Sequence, residues 1–176
     1  MTVTTSQFVT WGKRSFALSS LLLSCLSNAA SYEPKLAILG GISALNSTKS
    51  YGLSVYQLQG EGRWGFGGSV DVGNISESDR GASLSSDFYS ARVALTYGVT
   101  DNIYIVPSAG VVQSKLERNY YYAGRYHYFE NDSIGFSPAL DFVVESDGLT
   151  GSVGMSQLPL VDRNETAFNF KVGYAF

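Results

Sequence analysis

The sequence predicts an all-β fold: an eight-stranded antiparallel up-and-down transmembrane barrel, with short turns at one end and longer loops at the other. Three observations predict it. Large apolar residues alternate with small or polar ones through most segments long enough to be membrane strands. The connections between those segments alternate strictly between short and long. The last stretch, 166–176, sets Phe168, Phe170, Val172, Tyr174 and Phe176 on one face against Ala167, Asn169, Lys171, Gly173 and Ala175 on the other. A soluble sandwich strand also alternates, but it seldom puts four aromatic rings on one side and stops the chain on the last. A strand facing lipid has a reason to.

Composition agrees. The chain has 176 residues, 14% aromatic and only 15% charged, with 19 glycines. It is too uncharged for a disordered chain and too rich in Tyr and Gly for a helical bundle. The N-terminus reads as an export signal over 1–29, followed by a barrel domain over 30–176. Lys13 and Arg14 form its basic region, 16–26 its apolar core, and Ser27-Asn28-Ala29 the small residues before cleavage at Ala30. That core is too short to span a bilayer as a helix. The alternative is Leu22-Leu23-Ser24-Cys25, a lipoprotein box with Cys25 acylated. Cleavage before Ala30 leaves ten basic against fifteen acidic residues, a net charge near −5, and no cysteine. A mildly acidic chain without a basic cluster argues against nucleic acid as a partner.

The strands follow in order. The first, 35–45, is apolar on both sides, and the second, 51–59, loses its alternation after Val55. In 63–74, Trp64, Phe66, Val70 and Val72 oppose Gly65, Gly67, Ser69 and Asp71. In 87–98, Tyr89, Ala91, Val93, Leu95 and Tyr97 oppose Ser90, Arg92, Ala94 and Thr96. The fifth is 103–115; in the sixth, 134–145, Phe136, Leu140, Phe142 and Val144 oppose Gly135, Ser137, Ala139 and Asp141. The seventh, 149–157, sets Leu149, Val153 and Met155 against Thr150, Ser152, Gly154 and Ser156, and 166–176 is the eighth. Tight turns fall at 60–62, 99–102 and 146–148, and polar, mostly longer connections at 46–50, 75–86, 116–133 and 158–165. Pro107 and Pro138 lie inside strands, and a closed barrel has no edge to hide a missing N–H, so each predicts a bulge or local distortion. Asn-x-Ser/Thr triplets at Asn46, Asn74, Asn131 and Asn164 all lie in the long connections, where loop composition explains them.

Eight strands enclose a space that side chains fill. Asp71, Arg92, Asp141 and Lys171 fall on the lumen parity, and an unpaired charge there is costly, so they are expected to pair, Asp71 with Arg92 first. An ion path through them would need a continuous water column. Nothing points to a cofactor or a metal: no His/Asp/Glu cluster has ligand spacing, and Gly40-Gly41 and Gly67-Gly68 precede no helix. The stretch 117–129 crowds Tyr120, Tyr121, Tyr122, Tyr126, Tyr128 and Phe129 around Arg118, Arg125 and His127. Tyr and Arg dominate recognition surfaces, which makes this a candidate extracellular contact loop. The other reading is that the fifth and sixth strands simply run on as a hairpin.

The 166–176 pattern resembles the C-terminal signature of bacterial outer-membrane β-barrels, whose last strand, ending in Phe, is read by the barrel-assembly machinery. On that likeness Phe168, Phe170, Tyr174 and Phe176 form the assembly signal. Over 35–176 the chain resembles the small eight-stranded outer-membrane barrels of the OmpX, Ail and OmpA membrane-domain kind. The resemblance implies an integral outer-membrane protein that is not an enzyme and serves envelope integrity or surface interaction. Its partners would be outer-membrane lipid, lipopolysaccharide, and host or surface ligands. No periplasmic domain follows Phe176, so peptidoglycan anchoring is not implied. Two alternatives stay open: a small porin-like channel, and a lipid A-modifying enzyme using His127 with Glu130, Asp132 and Ser133. Against the second, no Ser follows His127 at the short spacing of the deacylase group.

Overall fold

The computed structural model describes residues 33–45, 49–79, 82–122, 125–161 and 163–176. The export signal expected at 1–29, with Cys25, lies outside them, as does Asn46. In chain order the strands are β1 (Lys35–Ala44), β2 (Lys49–Leu58), β3 (Trp64–Asp79), β4 (Ala82–Gly98), β5 (Ile103–Tyr122), β6 (Arg125–Ser146), β7 (Leu149–Pro159) and β8 (Asn164–Ala175). Each pairs antiparallel with its sequence neighbours, and β8 returns to β1 to close an eight-stranded barrel.

Register sets the width of that barrel. Neighbouring pairs lead sideways from Ala37 through Tyr56, Gly67, Ala94, Ser108, Ala139 and Ser156 to Ala167. Ala167 lies one place past the Ala44↔Phe168 pair, opposite Leu45, so one circuit climbs eight residues along β1. A stagger equal to the strand number tilts the strands by roughly 36° and leaves an interior that side chains can fill.

The alternation sorts side chains between lipid and lumen. On β8, Phe168, Phe170, Val172 and Tyr174 face outward and Ala167, Asn169, Lys171 and Ala175 inward, with Val172 71% exposed and Ala167 fully buried. Ile38, Ile42, Phe66, Val70, Leu95, Phe136, Phe142 and Val153 continue the outer wall. Trp64 meets Tyr97 at a tilt with ring centroids 4.8 Å apart, and Tyr174 meets Phe176 edge-on at 5.2 Å, forming an aromatic belt at the short-turn end. Among the described residues no helix is long and apolar enough to cross a membrane.

The short turns lie where the sequence puts them. Asp147 and Gly148 both have positive φ, 52° and 88°, which a two-residue hairpin turn of the primed type requires. Thr100 Oγ1 accepts from the N–H groups of Asn102 and Ile103, at 3.2 and 3.0 Å. The Glu61 N–H donates to Asp101 Oδ1 at 3.2 Å and ties two turns together.

Two expected loops are strand instead. β3 and β4 run through most of 75–86, and β5 and β6 through most of 116–133, leaving only 80–81 and 123–124 between them. Their sequences lose the apolar period because, beyond the bilayer, both faces of a strand meet water while the backbone pairing continues. Smaller shifts extend β2 back to Lys49, β7 on to Pro159 and β8 back to Asn164.

Neither proline makes a bulge, because the β5–β6 register runs unbroken from Ile103↔Val144 to Tyr122↔Arg125. The ladder is interrupted on one side of each instead. The β4–β5 pairing omits the places opposite Pro107 and Val106, and the β6–β7 pairing stops at Ala139, just short of Pro138. A missing N–H breaks pairing only on the side it would have faced. In β2 the alternation fails after Val55 as the sequence shows: Tyr56, Gln57 and Leu58 are all buried, and the β2–β3 ladder ends at Tyr56↔Gly67.

Phe170→Arg is expected to block membrane insertion, since a midplane Arg on the lipid face costs about 2–4 kcal/mol, whereas Phe170→Leu should insert normally. The readout is the faster gel migration of unheated, folded barrel relative to boiled protein; equal insertion of both variants would mean that Phe170 does not face lipid.

Candidate functional site

The lumen is layered. At the short-turn end Ala37, Leu39, Tyr56, Leu58, Tyr104, Val106 and Val143 belong to one buried apolar cluster. At the loop end Leu45, Phe88, Val112, Leu158, Leu160 and Ala167 form another. Between them lie buried charges. Asp71 accepts from Arg92 through one carboxylate oxygen and from the Lys171 ammonium, at 3.0 Å, through the other. Ser90 Oγ donates to Asp71 at 3.2 Å, Lys171 Nζ donates to Ser54 Oγ at 2.9 Å, and Arg92 Nη1 donates to Ser137 Oγ at 3.1 Å. Ser137 Oγ in turn donates a hydrogen bond to the Gln157 carbonyl at 2.7 Å, spanning the gap in the ladder above Pro138.

Of the four lumen charges, Asp71 pairs with Arg92 as the sequence leads one to expect, but Asp141 and Lys171 do not pair with each other. Asp71 holds both cations, while Asp141 accepts from Asn169 Nδ2 at 3.2 Å. Asn169 in turn accepts from Ser156 Oγ at 3.3 Å. The hydroxyl and amide partners Ser54, Ser69, Ser90, Ser137 and Asn169 complete the network. Their inward parity was the available signal. A second signal was glycine: a Cβ at Gly52 would collide with the Asp71 carboxylate, and one at Gly73 with the Phe88 ring. At the short-turn end Lys35 Nζ donates to Glu145 Oε2 at 2.6 Å, and the Gly148 N–H donates to Glu145 Oε1 at 2.7 Å.

Outside the barrel mouth, β3, β4, β5 and β6 continue as a four-stranded sheet above the level where β1, β2, β7 and β8 stop. Its outward face changes character within one row. Val72, Tyr89, Gln113 and Ile134 lie side by side, and the next outward row is Asn74, Asp87, Lys115 and Asp132. That step marks the exit from hydrocarbon. Lys115 Nζ bridges Glu117 at 2.9 Å and Glu130 at 3.0 Å, and the Tyr128 hydroxyl donates to Glu130 at 2.7 Å. The Tyr128 hydrogen bond, with Lys115 behind it, holds the Glu130 carboxyl below the usual carboxylate range. Glu117 and then Glu130 push the Lys115 ammonium up.

No family model matches the chain, and no curated protein matches it in sequence. Solved structures do match in shape. Ail, the attachment invasion locus protein of Yersinia pestis, solved with the heparin analogue sucrose octasulfate, superposes with a TM-score of 0.60 at 9% identity, covering 81% of this chain and 96% of that one. The same protein in a phospholipid bilayer nanodisc gives 0.57 at 11% identity, over 82% and 100%. The N-terminal β-barrel domain of Pseudomonas aeruginosa OprF gives 0.55 at 11% identity, over 83% and 100%. In fold this is a small eight-stranded barrel like those outer-membrane proteins.

The residues assigned to the barrel's assembly signal, Phe168, Phe170, Tyr174 and Phe176, all lie outward on or just past β8. The contact-loop residues Tyr120, Tyr121 and Tyr122 end β5, and Arg125, Tyr126, His127 and Tyr128 begin β6, so they form a hairpin and not a loop. A catalytic grouping around His127 does not assemble. Alternation along β6 puts Glu130 and Asp132 on the face opposite to His127 and Ser133. Six residues of extended strand also separate His127 from Ser133 by about 20 Å. Among the described residues no group of three or more His, Cys, Asp or Glu side chains is placed to hold a metal.

Asp71→Asn should destabilise the barrel by about 3–5 kcal/mol, because Arg92 and Lys171 would keep their charges without a carboxylate. The triple variant Asp71→Leu, Arg92→Met, Lys171→Met should recover most of that loss. Urea unfolding in micelles measures both; an Asp71→Asn barrel as stable as the parent would show that the network contributes nothing.

Proposed function

We propose that this is a non-enzymatic outer-membrane barrel whose work is done outside the membrane, through the sheet formed by β3 to β6. The observation that carries the reading is the asymmetry of the mouth: β5 and β6 have 20 and 22 residues, against 10 to 12 in β1, β2, β7 and β8. Strand beyond the bilayer adds nothing to spanning it. It gives a sheet standing beyond the rim, and its tip carries Tyr120, Tyr121, Tyr122, Arg125 and Tyr126, residue types that supply much contact energy per side chain. Ail's capture of a heparin analogue supports a surface-ligand role for a barrel of this shape. Host molecules, matrix and lipopolysaccharide are the candidate partners.

The layered lumen supports a plug over a channel. Ions would have to cross two apolar clusters and a charge network already satisfied by its own partners. Planar-bilayer recordings should therefore show no steady conductance; a stable, ion-selective pore altered by Arg92→Ala would promote the channel reading.

Replacing Tyr121, Tyr122 and Arg125 together by Ser tests the contact surface directly. The variant should remain folded and heat-modifiable while its binding to host cells, matrix proteins or lipopolysaccharide falls. Undiminished binding to all three would remove the sheet tip from the function.

A further inference from the structure

Two glycines on the lipid-facing wall have no reason inside the barrel. Other strand glycines do: a Cβ at Gly41 would strike the Phe170 carbonyl and Lys171, one at Gly154 the Asp141 carboxylate, and one at Gly173 the Ile38 carbonyl. Gly40 on β1 and Gly151 on β7 differ. Both lie on the outward parity, a Cβ there would meet nothing within 4 Å, and neither backbone takes a positive φ. Glycine weakens a strand interior, and it often marks a place where a ligand or another backbone comes close.

Register puts the two in one row. Gly40 and Gly151 both pair with Val172, from opposite sides. The row therefore reads notch, ridge, notch, with the notches two inter-strand spacings, roughly 10 Å, apart. Val172 is 71% exposed, against 50–52% for Phe168, Phe170 and Tyr174 on the same strand, because both of its cross-strand neighbours lack a side chain. The rows on either side are full: Ile42, Phe170 and Val153 towards the loop end, and Ile38, Tyr174 and Leu149 towards the short turns. The result is a shallow cleft with an apolar lining.

Rigidity decides what the notches suit. Fluid acyl chains mould themselves to a bulky wall as well as to a notched one, so lipid alone gives glycine no advantage here. A rigid surface gains from the space, since close packing within a membrane needs a notch for each ridge. This wall supplies both parts itself. Two barrels inserted in the same direction can meet through it about a twofold axis along the membrane normal. Each Val172 then enters a notch beside the other's. β7, β8 and β1 also belong to the short half of the barrel, across from β3 to β6, so no tall sheet stands above the rim to keep two copies apart.

We propose that the β7–β8–β1 wall is the interface for a second copy of this chain, packed through Val172, Gly40 and Gly151. The pair would turn its two tall sheets away from each other. The interface stands independently of what those sheets bind.

The test measures energy transfer between copies labelled through Glu61→Cys, a turn position, in a Cys25→Ser background. The barrels are placed in lipid vesicles at falling protein-to-lipid ratio. Transfer in the parent should follow a saturable dimer equilibrium. Gly40→Ile/Gly151→Ile fills both notches from the outer side of the barrel. It should stay folded and heat-modifiable while the dimer dissociation constant rises by about tenfold or more. Val172→Ala, which shortens the ridge without adding bulk, should weaken the dimer too and decides the matter if the glycine variant does not fold. Parent copies with no transfer beyond random proximity would overturn the proposal, whether lipid or another protein fills the notches. Transfer left unchanged by either folded variant would do the same.

Discussion

Hydrocarbon offers no partner to a bare backbone N–H or C=O, so a β-sheet can cross a membrane only by closing on itself. Here β8 closes on β1 with a stagger of eight residues, and that one geometric fact propagates through the molecule. It fixes the lumen at a width that side chains fill. It also commits every second residue to lipid and every other to the interior, so a residue's parity decides its solvent. Pro107 and Pro138 show how little slack remains: each breaks the ladder on one side while the β5–β6 register stays whole.

A filled lumen makes charge placement demanding. Asp71, Arg92 and Lys171 are each almost wholly buried, and they coexist because one carboxylate has two oxygens to share between two cations. Serines from several strands accept further hydrogen bonds from those cations. Glycine at 52 leaves the space that the Asp71 carboxylate occupies. The apolar clusters above and below complete a stack of grease, charge and grease.

Once the wall leaves the bilayer the requirement for closure lapses, since water can satisfy an open edge. The tall half, β3 to β6, then behaves as an ordinary half-barrel sheet with two faces and an end to each ladder. Its outward face turns polar at Asp87, Lys115 and Asp132, where the wall meets headgroups. The asymmetry between tall and short strands gives the mouth a direction, and a surface that reaches past its own rim is suited to touching something else.

The sequence by itself determined the strand number, the lipid and lumen faces of most strands, and the tight turns, because burial on one side of a sheet imposes a period of two. It also placed Asp71 beside Arg92, since neighbouring antiparallel strands joined by a turn have little freedom of register. It did not reveal that β3 to β6 continue beyond the membrane: with water on both faces, a strand needs no apolar alternation, and 116–133 reads as loop. Nor did it show that Lys171 joins Asp71 while Asp141 turns to Asn169. Those choices depend on which strands face one another across the lumen, and only the closed circuit brings β8 opposite β3.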